Sequence, residues 1–339
     1  MRSRFRRLCA VIGAALGLTL VVAPAPSGAA DASGVTCEDL RVPVTLAGTA
    51  QSMYGRLCVP EGATQVQVLI PGGTYNSSYW DIGYEPSLRS YRLAMNEAGF
   101  ATLAIDRLGT GRSSKPLGAL VTASAQAGAV HQVIQTLRPR FAEVVVGGHS
   151  IGAAMAMIEA GNYHDVDGVV VTDMTHRMNY LTVIPVLANM IPAPLDPVLR
   201  SRGLDLGYLT TAPGTRYDAF HTPGPRDDGA IAYDESTKDV FTATEAVDTI
   251  LMTNVVIPAT KRIDVPVLLV VGAGDEHFCG EPLGSDCSSA EALRASEAPF
   301  FSPEARLETY LLDGYGHAIN YAPHAREYFS VVAGWAGRL

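Results

Sequence analysis

The chain has 339 residues, 47% of them hydrophobic and 17% charged, enough to enclose one large α/β core or two small ones. That balance excludes a disordered chain and a collagen-like repeat. A formal net charge of −9, with no basic cluster beyond the first residues, argues against nucleic acid or an anionic membrane as partner.

Residues 1–30 are a different material and read as a secretory signal. Arg2, Arg4, Arg6 and Arg7 form a basic head, an apolar run follows from Leu8 to Ala23, and the small residues Ser27-Gly28-Ala29-Ala30 close it. Cleavage is expected after Ala30. The apolar run falls short of the roughly 20 residues a spanning helix needs, so no retained anchor is expected. Cys9 follows the basic head rather than ending the apolar run, which argues against a lipid anchor as well. Removing the leader leaves 21 basic against 34 acidic residues, a net of −13. Four cysteines remain: Cys37, Cys58, Cys279 and Cys287. An even number in an exported chain points to disulfides. Of the three connectivities, the local pairs Cys37–Cys58 and Cys279–Cys287 are preferred, because each joins neighbouring segments across a turn or loop. A cysteine metal site is not expected, since there is no C-x-x-C and no histidine at ligand spacing from two cysteines.

Leu40–Leu46 and Ser52–Val59 read as an antiparallel pair around the turn Ala47-Gly48-Thr49. Val66–Ile70 is a compact apolar strand running into Pro71-Gly72-Gly73. Ser87–Ala98 has helical spacing and stops at Gly99. Then come a strand at Ala101–Ile105, a helix at Thr122–Leu137, and a strand at Glu143–Gly147 with three consecutive valines. A helix over Ile151–Ala160 should end at Gly161, and Gly168–Thr172 is again a strand. Between Met178 and about Ile263 the alternation breaks. There the Pro/Gly/Asp-rich loop Thr211–Asp228 separates two apolar, helix-like pieces, Leu181–Met190 and Val240–Met252. The alternation returns with a strand at Val265–Val271, a helix at Ser289–Ser296, a strand at Arg306–Leu312 and a helix at Ala322–Trp335. Short apolar strands, each followed by a helix, indicate a mostly parallel sheet covered on both faces. An insertion as long as residues 178–263 between two such strands is expected to be a lid or cap. The expected organisation is a core of residues 31–177 and 264–339 carrying that insertion.

Gly148-His149-Ser150-Ile151-Gly152 carries the most chemistry. A serine on a tight strand-to-helix turn needs small neighbours two residues either side, and Gly148 and Gly152 supply them. The turn pushes the Ser150 hydroxyl out over the end of the sheet and aims the Ile151 N–H at a developing oxyanion. A bare G-x-S-x-G is common, but the strand before it and the helix after it are the context the motif requires.

From about Leu40 to its C-terminus, the chain therefore resembles the α/β-hydrolase superfamily. The resemblance implies a nucleophile, an acid and a histidine, in that chain order, at the ends of the fifth, seventh and eighth strands. Asp275 fits the acid, in the loop Gly272-Ala273-Gly274-Asp275 after a buried strand, where open α/β sheets place their sites. A solvated turn aspartate is the plain alternative. Asp173, after the strand Gly168–Thr172, is the rival acid, since some members of the fold use that earlier position. His317 fits the base, in a glycine-rich loop before the last helix. Of the other histidines, His149 sits in the tight turn itself and His131 in a helical stretch. His164, His176, His221 and His277 precede the last strand, and His324 falls in the last helix. The second oxyanion donor should come from the loop after Val66–Ile70, which in the family begins His-Gly. Here Pro71 replaces the histidine, and the donor is assigned to the backbone of Gly73, with Thr74 next. The loop Asp106–Ser113 also resembles the family's and is expected to serve structure.

The chain holds no H-E-x-x-H, P-loop or dinucleotide fingerprint, so no cofactor or metal is implied. Serine rather than aspartate at the turn argues against epoxide hydrolase or dehalogenase chemistry. The leader and the resemblance together imply a secreted serine hydrolase acting on a small-molecule carboxylic ester or lactone. An acyltransferase, or an amidase or peptidase, would use the same three residues. A silent binding protein on a hydrolase scaffold is the reading from another class.

Overall fold

The computed structural model describes residues 34–251, 259–280 and 282–339, so the expected leader lies outside the described residues. Two long strands, β1 (Val35–Leu46) and β2 (Thr49–Pro60), form the expected antiparallel pair, each a few residues longer than the sequence suggested. β3 (Gln65–Ile70) follows, then a short helix α1 (Pro86–Arg89) and α2 (Tyr91–Glu97). The single helix expected over 87–98 is thus broken at Ser90. That residue is extended, and its hydroxyl caps α2 at the Leu93 N–H while donating to Asp81. Next come β4 (Ala101–Ile105), α3 (Ala123–Leu137, capped by Thr122), β5 (Glu143–His149), α4 (Ile151–Tyr163) and β6 (Gly168–Thr172).

Gly161 does not end α4; the helix runs through it to His164 in a left-handed conformation. A Cβ at Gly161 would stand 2.2 Å from the Ala259 carbonyl oxygen, so that glycine permits close packing rather than a stop.

After β6 come α5 (Tyr180–Ala188), β7 (Met190–Pro192), β8 (Tyr208–Thr211), α6 (Asp228–Thr237), β9 (Phe241–Thr242) and α7 (Ala243–Ile250). β7, β8 and β9 make a small antiparallel sheet of their own. The chain then re-enters the core as β10 (Val267–Gly272), α8 (Ala290–Glu297), β11 (Glu308–Leu312) and α9 (Arg326–Ala336). His324 precedes α9 rather than lying within the last helix, and its ring bonds the Asp313 carbonyl.

The main sheet has eight strands in the order β1-β2-β4-β3-β5-β6-β10-β11, parallel from β4 onward. This is the α/β-hydrolase fold with an added small sheet. Successive strand residues face opposite sides. Val68, Val144, Val146, Val169 and Leu269 enter a core beneath α3 and α4. Leu69, Val145, Val170, Leu268 and Val270 enter a second core beneath α2 and α9. Full burial of one such side chain is worth about 1.5–3 kcal/mol, so packing rather than local propensity holds these short strands.

Both expected disulfides are present, Cys37–Cys58 across β1 and β2 and Cys279–Cys287 in the stretch after β10. Among the described residues no helix is long and apolar enough to cross a membrane.

Candidate active site

The loops at the C-terminal ends of β3, β5, β10 and β11 converge on one point. Ser150 sits between β5 and α4 at φ +54° and ψ −126°, a conformation that costs about 1–3 kcal/mol for a residue with a side chain. The surrounding backbone holds it there. Its N–H donates to the Thr172 carbonyl at 2.9 Å, and its own carbonyl accepts from Ala153 and Ala154. Both flanking glycines are required by space. A Cβ on Gly148 would lie 2.2 Å from the Gly152 carbonyl oxygen, and one on Gly152 would lie 2.5 Å from that of Ile70.

Ser150, His317 and Asp275 are brought together although they lie far apart in the chain. The Ser150 Oγ is 2.9 Å from His317 Nε2, and His317 Nδ1 is 2.8 Å from Asp275 Oδ2. Asp275 is fully buried, and its other oxygen accepts the His277 N–H at 3.0 Å, which fixes the direction of the carboxylate. An imidazole so placed can take a hydroxyl proton on Nε2 while the carboxylate holds Nδ1–H. Asp173 lies near Asp275 and His149 but does not bond the His317 imidazole. Its Oδ1 accepts the Gly272 N–H at 2.9 Å, and among the described residues no hydrogen bond joins it to His317. Burial, then the nearby Asp275, push its carboxyl well above the usual range.

Gly73 and Ile151, the two expected oxyanion donors, both line the pocket in front of Ser150. The Ile151 N–H opens α4, where a helix leaves its first N–H groups without internal partners. The next residue, Thr74, has φ +64°, which is rare for a β-branched side chain. Its hydroxyl accepts from the buried Arg216 at 2.9 Å, and its carbonyl accepts the Asp239 N–H at 2.8 Å. Both partners belong to the insertion between β6 and β10.

Arg216 is the hub of a buried network that the sequence did not signal. It pairs with Asp234 at 2.8 Å and lies over the rings of Tyr75 and Phe220. Asp234 in turn accepts from His221, whose other ring nitrogen bonds the Tyr315 hydroxyl at 2.8 Å. Burial would raise the Asp234 carboxyl, yet Arg216 and His221 draw it down to about 2.

The loop Asp106–Ser113 has a comparable framing role. Asp106 accepts the N–H groups of Ser77 and Arg112. Arg107 donates to the carbonyls of Gly72 and Val240 and pairs with the buried Glu245 of α7.

His149 ends β5 and belongs to the tight turn that carries Ser150. Its ring is buried, stacked on Tyr79, and donates Nε2–H to the His317 carbonyl at 3.0 Å. Burial first, then repulsion from His317, hold its pKa well below the ordinary value, which keeps it neutral.

The pocket over Ser150 holds about 740 Å³ of open space, counting its mouth, and is walled by Met174, Met178, Val186, Met190, Phe220, Phe241 and Ile250. Most of these side chains come from the insertion. Apart from Thr74, Thr249, His277 and the Ser150–His317 pair, the lining is apolar and favours an apolar guest. Among the described residues no group of three metal donors lies at this point. Among the described residues the histidine and carboxylate group at ligand spacing is His131, Glu159 and Asp165, elsewhere on α3 and α4.

Residues 67–328 match the family described as "Alpha/beta hydrolase family". No curated protein matches the chain significantly. Among solved structures, the chain is similar to a thermophilic esterase from Thermogutta terrifontis, with 15% identity and a TM-score of 0.62 over 89% of this chain and 98% of that one. It is similar to a monoglyceride lipase from Saccharomyces cerevisiae, with 16% identity and a TM-score of 0.59 over 87% and 94%. An esterase from Exiguobacterium antarcticum shares 14% identity and a TM-score of 0.58 over 87% and 99%. At such identities the likeness is one of fold.

Proposed function

The chain belongs to the alpha/beta hydrolase family, and from that premise we propose that it is a secreted serine hydrolase cleaving a carboxylic ester or lactone through an acyl-enzyme on Ser150. The observation that carries the reading is the unbroken hydrogen-bond series from Ser150 Oγ through His317 to Asp275, opening on an apolar pocket.

Ser150 Oγ attacks the acyl carbon as its proton passes to His317 Nε2. The carbonyl oxygen takes the negative charge and is received by the N–H groups of Ile151 and Gly73. Collapse of the intermediate breaks the ester bond, and the leaving oxygen takes the proton from His317. Water then gives a proton to His317 and its oxygen to the acyl carbon, which releases the acid and restores Ser150. In a lactone the leaving hydroxyl stays on the acyl chain. Residues 178–263 act as a cap whose apolar wall receives the acyl or aromatic group. The two disulfides support an extracytoplasmic setting.

A fluorophosphonate probe and a panel of p-nitrophenyl esters of increasing chain length, with lactones and amides beside them, test this. Wild-type protein should label and turn over esters, and Ser150→Ala should lose labelling and about a millionfold in kcat. An unlabelled wild type without turnover would instead indicate a binding protein on this fold. Preferential amide turnover would indicate an amidase, and acyl transfer to an added alcohol would indicate a transferase.

A further inference from the structure

Away from Ser150, three donors meet where α3 packs against the far end of α4. His131 comes from α3, Glu159 from the last turns of α4, and Asp165 from just beyond that helix. His131 Nδ1 is 2.8 Å from Asp165 Oδ2 and 3.7 Å from Glu159 Oε1, and the three ligating atoms lie within 4.8 Å of one another. The Glu159 side chain is fully buried, and neither of its oxygens accepts a hydrogen bond from any described residue. Burial, then a side-chain hydrogen bond with Asp165, raise the Glu159 carboxyl to about 9, so the two acids face each other across a shared proton. Arg138, the guanidinium nearby, is engaged by Asp167 at 2.6 Å. Two buried carboxyls this close need a proton or a cation between them, and the imidazole beside them completes a set of metal ligands.

We propose that His131, Glu159 and Asp165 bind a divalent transition-metal ion, for which Zn2+ is the best match. Bonds of about 2.0–2.2 Å set neighbouring tetrahedral ligands about 3.3 Å apart, and the observed 2.8 and 3.7 Å bracket that spacing. One imidazole with two carboxylates suits a borderline ion, whereas Ca2+ asks for six to eight oxygens. Two carboxylates also balance the ion's charge. The ring of His131 is held by stacking on Tyr163 at 3.9 Å, and Gln135 steadies Asp165 by donating to its Oδ2. His131 is 27% exposed, which leaves a way in and a position for water as fourth ligand. The ion takes the place of the proton held between the two carboxyls, which leaves to solvent, and binds the Nδ1 lone pair while the ring keeps its N–H on Nε2. It ties α3 to α4, the helix that begins at Ser150, from roughly 14 Å along its axis. Its effect is therefore on stability rather than on the chemistry at Ser150.

The test is calorimetric titration of the tag-free, chelator-stripped chain with zinc chloride. One equivalent should bind with proton release, and the melting temperature should rise with the logarithm of free zinc. Glu159→Gln and His131→Asn should each weaken binding at least tenfold, on the order expected even for losing a partner of a ligand. Equal melting of variants and wild type in chelator establishes that they are folded. Should either variant fail to fold, Co2+ in the wild type should give visible tetrahedral absorption bands that zinc abolishes. Absence of zinc binding by the wild type overturns the proposal. So does undiminished binding by Glu159→Gln, which would leave Glu159 and Asp165 as a carboxyl pair sharing a proton.

Discussion

The ring of His149 fills the space between Tyr79 and the His317 backbone, and it does so uncharged. An unfolded histidine takes a proton near pH 6.5. Because the folded pKa is depressed, below that pH the unfolded chain binds a proton that the folded chain does not, and stability falls as acid is added. His277, lowered chiefly by burial, acts in the same direction. Urea unfolding between about pH 7 and 5 should show this loss, and His149→Gln should flatten the slope by up to about 1.4 kcal/mol per pH unit. A slope indifferent to the substitution would mean the ring titrates alike in both states. At this scale the sequence was uneven. Ser150, Asp275 and His317 each sit beside glycines at the end of an apolar strand, a purely local pattern. Arg216 sits in a loop with no pattern at all. Only the fold reveals that its guanidinium reaches across to Thr74, 142 positions earlier.

Among the elements, the insertion contributes more than a roof. Through Arg216 and Asp239 it grips both the hydroxyl and the carbonyl of Thr74, which hold that residue in its positive-φ conformation beside Gly73. Arg216→Met should let that loop relax and misplace the Gly73 N–H. A displacement of about 1 Å, or loss of one oxyanion donor, lowers kcat about a hundredfold, with KM less affected. Removing the cation alone leaves the buried Asp234 with the His221 hydrogen bond but no guanidinium, at a cost of up to about 5 kcal/mol. The double variant Arg216→Met/Asp234→Asn should therefore regain stability while kcat stays low. Recovery of kcat along with stability would refute a positioning role. The same insertion was the least legible region in the sequence. Its strands are two to four residues long, and only Ala230 and Asp234 of α6 are buried, so α6 carries no apolar stripe to betray it. The core strands were legible because burial on both faces writes them as continuous apolar runs.

For the molecule as a whole, the two disulfides close segments of different consequence. Chain entropy assigns about 3 kcal/mol to closing the 21-residue separation of Cys37–Cys58, and somewhat less to the 8-residue separation of Cys279–Cys287. The Cys279 N–H donates to the Asp275 carbonyl at 2.8 Å, so the second bridge also clamps the turn that carries the acid. Replacing Cys37 and Cys58 with serine should lower the melting temperature and leave kcat near wild type. Replacing Cys279 and Cys287 should lower both. Equal kcat in the two double variants would remove the clamp from the account. The alternation of strands and helices pointed to the order of the core, whereas the pairing of β7, β8 and β9 depends on contacts no linear pattern records.

β11 is the outermost strand of the main sheet, and the loop behind it supplies the imidazole. A chain made from its N-terminus acquires the serine at its midpoint and the histidine 167 positions later. On the chemistry proposed for Ser150, its proton acceptor arrives only when the last edge of the sheet docks, so incomplete chains would spare the acyl compounds around them.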